Sequence, residues 1–181
     1  MLTAIDVLVR NNAAAALSFD YGSLPIKPRL PVAVLTCMDA RLSTPRLLGV
    51  EPGDIHVLRN AGGVVTPDMI RSLVVSQRRL GTDEVMIIQH TKCGMTLFTD
   101  EGFAAELEAA AGRRPDWAAG TFRDTRESVL ASVAQVRANA YLPHTDQVRG
   151  FVFNVELGTL TELTPECPPH VLARRAGNQA L

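Results

Sequence analysis

The chain has 181 residues, of which 46% are hydrophobic and 20% charged, with a formal net charge of −1. That balance belongs to a globular protein long enough to bury a real core, and the near-zero charge gives no footprint for nucleic acid or an anionic membrane surface. No uncharged apolar stretch approaches the ~20 residues of a membrane span, and Met1–Asp6 does not read as a signal peptide, so a cytoplasmic protein with its three cysteines reduced is expected.

Residues 2–18 read as a helix, and residues 1–25 as a helical arm ahead of a connector marked by Pro25, Pro28 and Pro31. Val32–Thr36 is short, apolar and β-branched, with no polar alternation, which predicts a strand of a parallel sheet covered on both faces. Ser43–Leu48 suggests a short helix with Pro45 in its first turn, and Ile55–Arg59 a second strand. Gly62-Gly63 then interrupts the chain. Thr66 caps a helix that opens on Pro67 and ends at Gly81. Glu84–Gln89 is the third strand, 100–111 and 124–140 are helical, and 150–155 is the fourth strand. A turn at Glu156–Thr159 brings Leu160–Leu163 back as an antiparallel edge strand, and the tail from Pro165 reads as an irregular terminus. The expected fold is α/β: an open, mostly parallel sheet of about four strands plus that edge strand, flanked by helices, in a single domain over residues 1–181.

Two clusters carry chemistry: Cys37-Met-Asp39-Ala-Arg41 and His90-Thr-Lys-Cys93. Two thiols and an imidazole are zinc-ligand types, and three protein ligands leave zinc one coordination position open. Cys37 follows the first strand and His90 the third. If these strands are parallel neighbours, both residues lie at the sheet edge where open α/β sheets place their sites, together with the loop Asn60–Gly63. If residues 37–41 stay extended, Cys37, Asp39 and Arg41 point the same way. His90 and Cys93 would share one side of a turn or a starting helix, whose positive end would favour a thiolate. Among the remaining histidines, His56 reads as structural and His144 and His170 as solvated loop residues, while Cys167 reads as a thiol without function.

The combination Cys37-x-Asp39-x-Arg41, Arg59-Asn-Ala-Gly-Gly63 and His90-x-x-Cys93-Gly94 resembles the β-class carbonic anhydrases, from about Pro31 to Leu163. The resemblance implies a zinc enzyme, one Zn2+ per chain, that interconverts carbon dioxide and bicarbonate by a zinc-activated hydroxide. It also implies a homodimer, or a dimer of dimers. Cys37, His90 and Cys93 would be the zinc ligands. Asp39 would orient the water, or ligate zinc in a closed state. Arg41 would hold Asp39 off the metal, and Gly62 and Gly63 would line the substrate pocket. Plant-like members carry a glutamine shortly before the first cysteine, and Gly22–Pro31 contains none. Hydrolysis of carbonyl sulfide or carbon disulfide at the same site therefore stays open, as does a non-catalytic zinc-binding or bicarbonate-sensing module. A Cys-x5-Arg phosphatase loop is absent, because Ser43 stands where the arginine would be, and no Gly-x-Gly-x-x-Gly follows the first strand.

Overall fold

In the computed structural model, residues 2–164 are described. The chain starts with α1 (Ala4–Ala15), capped by a reciprocal box between Thr3 and Asp6 and extended by a single 3-10 turn over Ala16–Ser18. The core elements are β1 (Val32–Cys37), α2 (Thr44–Leu48), β2 (His56–Asn60), α3 (Pro67–Leu80), β3 (Glu84–His90), α4 (Asp100–Ala111), α5 (Thr125–Arg137), β4 (Val148–Asn154) and β5 (Thr159–Leu163). The tail from Pro165, with Cys167 and His170, lies outside the described residues.

The five strands lie in the order β2-β1-β3-β4-β5. The first four are parallel and β5 runs antiparallel at the edge, as the strand–helix alternation predicts. The chain steps from β1 outward to β2, then crosses back over β1 to β3 on its other side, so the strand order reverses between β1 and β3. Ligands bind at such a reversal, outside the carboxyl ends of the strands. Cys37 ends β1 and His90 ends β3.

Burial follows from position. Five of the six β1 residues are buried, because a central strand is covered on both faces, whereas the edge strand β2 alternates. Leu73 of α3 and Val129, Val133 and Val136 of α5 pack with Ala33, Val85, Ile87, Val148 and Val152 of the sheet. A second apolar cluster gathers Leu42 and Met95 around Cys37 and Cys93. Close packing of α5 on β4 requires glycine: a Cβ at Gly150 would stand 2.5 Å from Val129 Cγ1 and 2.9 Å from Val133 Cγ2. Every residue from 2 to 27 is exposed, so α1 adds nothing to this core.

The connector after the arm is tied down by backbone bonds from the Arg29 and Leu30 N–H groups to the Gly53 and Asp54 carbonyls, both 2.9 Å, and by one ion pair. The Arg29 Nε–H donates to Asp54 Oδ1 at 2.7 Å, and Asp54 Oδ2 accepts from the Glu51 N–H at 3.0 Å. The Arg29 guanidinium, with the Glu51 amide beside it, holds the Asp54 carboxyl down at about 2, below the usual carboxylate range. A depressed folded-state pKa adds stability above the unfolded value near ~3.9, and that stability is lost as pH falls through the folded value. Asp54→Asn should therefore lower the urea midpoint at pH 6, and its gap to the wild type should narrow steadily between pH 5 and pH 3.

Candidate metal centre

Three strand ends build the site. β1 delivers Cys37 and then turns. The condition that residues 37–41 stay extended is not met, because the Leu42 N–H bonds the Asp39 carbonyl at 3.0 Å and closes a turn. That turn still joins the two charged groups. The Asp39 carboxylate accepts from Arg41 N at 2.9 Å, Nε at 2.9 Å and Nη2 at 2.7 Å, a bidentate pair with one further backbone bond. β3 delivers His90, and a tight loop returns Cys93. Lys92 in that loop is the one non-glycine residue among the described residues with a left-handed backbone, φ 55°. Its carbonyl accepts from Arg41 Nη2 at 3.0 Å, and its ammonium reaches Glu156 Oε1 at 2.6 Å. Of the two forms expected for His90–Cys93, a turn or a starting helix, the structure has the turn, followed by a 3-10 turn over Gly94–Thr96 that is too short to carry a helix dipole.

The ligand atoms of Cys37, His90 and Cys93 all lie within 4.8 Å of one another, and all three residues are buried. The two sulfurs are 4.0 Å apart and unbridged. His90 Nδ1–H donates to the Thr91 carbonyl at 2.9 Å, which turns the lone pair of Nε2 inward. Nε2 is fully buried and has no hydrogen-bond partner. An unpartnered ring nitrogen beside two thiols is costly by itself and is satisfied by a cation. The donor set fits a tetrahedral, thiophilic metal with one open position. Asp39 Oδ2 stands 3.8 Å from His90 Nε2 but does not belong to the mutual cluster.

Electrostatics support this arrangement. A hydrogen bond with Cys93 pulls the Cys37 thiol well below its ordinary range against the effect of burial, and the Asp39 and Gly62 backbone N–H groups add to the shift. The Cys93 thiol is pushed up, first by Cys37 and then by burial. The Arg41 side chain holds the Asp39 carboxyl far below the usual carboxylate range, which keeps it ionised.

The two glycines do different jobs. Gly62 lines a cavity of about 560 Å3 that opens beside Cys37, Asp39 and Cys93. Gly63 does not line it. A Cβ at Gly63 (φ +64°) would meet the Cys37 N and Thr36 C atoms at 2.9 Å, so its absence lets the loop lie against the β1 backbone. The far wall was not foreseen from sequence: Phe98, Phe103 and Trp117 meet edge to face or tilted, at 5.3 and 6.5 Å between centroids. The signal available was a single tryptophan in a Gly/Pro-marked loop, and nothing local in that loop points toward the cysteines. His56 is structural, with Nδ1 2.7 Å from Ser76 Oγ, and His144 is exposed.

Comparison with known proteins agrees with the geometry. The carbonic anhydrase family model matches residues 32–114. Beta-carbonic anhydrase 1 of Mycobacterium tuberculosis is 43% identical over 164 residues, covering 91% of this chain and 100% of the relative. A carbon disulfide hydrolase of Acidithiobacillus thiooxidans is 33% identical over 158 residues, covering 76% of each. Among solved structures, the carbonic anhydrase of Streptococcus mutans superposes with a TM-score of 0.85 at 36% identity, over 91% of this chain and 99% of that one. A match of this extent, on a parallel sheet that carries a Cys–His–Cys cluster at its switch point, assigns the chain to the β-carbonic anhydrase family.

The glycine that seats the loop gives a direct test. Gly63→Ala should cost at least about 2 kcal/mol through the left-handed φ and the backbone clash. Thermal denaturation should show a lowered Tm, and elemental analysis should find less than one bound metal per chain.

Proposed function

We propose that this protein is a zinc-dependent carbonic anhydrase, hydrating carbon dioxide reversibly to bicarbonate. One observation carries the reading: a buried Cys37–His90–Cys93 triad, whose ligand atoms lie within 4.8 Å, with an ionised Asp39 held beside it by Arg41. Cys37, His90 and Cys93 would hold the zinc, which would supply a water that ionises near neutral pH.

The chain's own residues do the rest. Asp39, already bound on its outer side by Arg41, has His90 Nε2 3.8 Å from Oδ2 and is placed to accept a hydrogen bond from the attacking water. Accepting that bond turns the water's lone pair toward the substrate carbon. With that orientation the water's oxygen would add to the carbon as one carbon–oxygen π pair moves onto oxygen, and its proton would leave to buffer. Arg41 keeps the carboxylate charged and away from the open position. Gly62, Met95, Phe98 and Phe103 bound an apolar pocket suited to a small neutral molecule that offers few hydrogen bonds.

Carbon disulfide or carbonyl sulfide is the second reading, and the apolar wall of Phe98, Phe103 and Trp117 is the observation that favours it. Stopped-flow hydration of carbon dioxide and sulfide release from carbonyl sulfide, on one zinc-loaded preparation, separate the two. Carbon dioxide turnover should dominate. Rates indistinguishable from buffer with both substrates would instead mean a non-catalytic module.

The partner is a second copy of this chain. Ile5, Leu8 and Val9 form an i, i+3, i+4 stripe on α1 and are 71%, 65% and 65% exposed, an apolar face that the described residues leave uncovered. No helix among the described residues is long and apolar enough to cross a membrane, and two unbridged thiols 4.0 Å apart suit the reducing cytoplasm.

Two tests follow. Asp39→Asn should keep about one zinc per chain and lose turnover by about 100-fold or more, whereas Cys93→Ser should lose the metal itself. An Asp39→Asn variant with full kcat would remove the orienting role. Light scattering should find a dimer or a dimer of dimers for the wild type and a shift toward monomer for Leu8→Asp.

A further inference from the structure

A second arginine serves the same aspartate through its main chain. Arg59, next to last in β2, donates from Nε to the Cys37 carbonyl at 2.9 Å and from Nη2 to the Asp39 carbonyl at 2.7 Å. It forms no ion pair among the described residues. An arginine that gives charge-assisted hydrogen bonds to two carbonyls flanking one residue acts as a rigid fork. Those carbonyls belong to a candidate metal ligand and to the carboxylate beside it. Arg41 grips the Asp39 carboxylate, and Arg59 grips its main chain.

We propose that Arg59 is a positioning residue: it fixes the backbone from Cys37 to Asp39 so that the carboxylate stays beside the metal position without entering it. The side-chain pair with Arg41 cannot do this alone. Both partners of that pair sit on one turn, three residues from Asp39 to Arg41 inclusive, so the pair moves as the turn moves. Its outside anchor is one bond, from Arg41 Nη2 to the Lys92 carbonyl. Arg59 comes from a different strand, whose last residue continues the ladder by accepting the Met38 N–H at 2.8 Å. It therefore refers the turn to the sheet. Oδ2 of Asp39 is already 3.8 Å from His90 Nε2, so a small drift of the turn is enough to add a fourth protein donor. Displacements of about 1 Å in a catalytic group cost up to about 100-fold in rate.

The proposal rests on the carbonic anhydrase reading only for its activity arm. The experiment uses Arg59→Gln and Arg59→Lys as zinc-loaded and cobalt-substituted full-length protein, with Arg149→Gln as the control. Arg149 pairs with Glu162 far from the site. Three quantities are read: metal stoichiometry, the visible spectrum of the cobalt protein without substrate, and kcat/KM for carbon dioxide. Arg59→Gln should keep one metal per chain, change the cobalt spectrum as an oxygen donor joins, and lower kcat/KM by about 10- to 100-fold, mainly in kcat. Arg59→Lys, which restores a cation but not the fork, should fall between it and the wild type. Arg149→Gln should match the wild type throughout. A folded Arg59→Gln protein with wild-type cobalt spectrum and kcat/KM overturns the proposal. So does loss of metal and thermal stability in both variants alike, which would make Arg59 part of the fold only. If the wild type shows no hydration, the functional reading fails, and the cobalt spectra still decide the role of Arg59.

Discussion

The parallel pairing of β1 with β3 is the constraint on which the site depends. Val32 lies opposite Glu84 and Thr36 opposite Ile88, so Cys37 and His90 emerge side by side where the chain leaves the sheet. Neither residue is useful alone. A thiol at a strand end is a small buried group, and an imidazole with an unpartnered nitrogen is a cost. Hydrogen bonds of the ladder hold the two together before any ion arrives. The loop after β3 then returns Cys93 to the same spot, with Lys92 taking the left-handed conformation that the reversal needs.

Around that seam the structure solves one electrostatic problem. Two thiols, an imidazole and a carboxylate crowd into a small, largely buried volume. The pair of thiols pulls one titration down and the other up, and the carboxylate is held ionised by a bidentate guanidinium. Both arginines near the site are exposed, and each reaches inward with part of its fork. The charged apparatus stays at the rim, while the cavity interior stays apolar.

Much of this was legible in the sequence because it depends on short-range rules. β-branched runs bounded by Pro or Gly marked the strands, Thr66-Pro67 and Gly81 bracketed α3 to the residue, and strand-end placement was enough to bring Cys37 toward His90. What escaped depends on long-range geometry. The fork of Arg59 needs the register of β1 on β2, the aromatic wall needs the loop around Trp117 folded over residues far away in sequence, and the different duties of Gly62 and Gly63 need atomic distances. The condition that residues 37–41 stay extended fails at the 39–42 turn because the Asp39 side chain competes for the following amides, which a period-two rule ignores.

The aromatic wall also bears on the direction in which molecules leave. Phe98, Phe103, Met95 and the two alanines that follow Trp117 offer an ion almost nothing to replace its hydration shell. An uncharged gas loses little on entering such a chamber, whereas a newly formed anion is better solvated outside it. Chemistry that converts the first into the second thus creates its own impetus for product escape, and the walls keep the chamber from being clogged by what it makes.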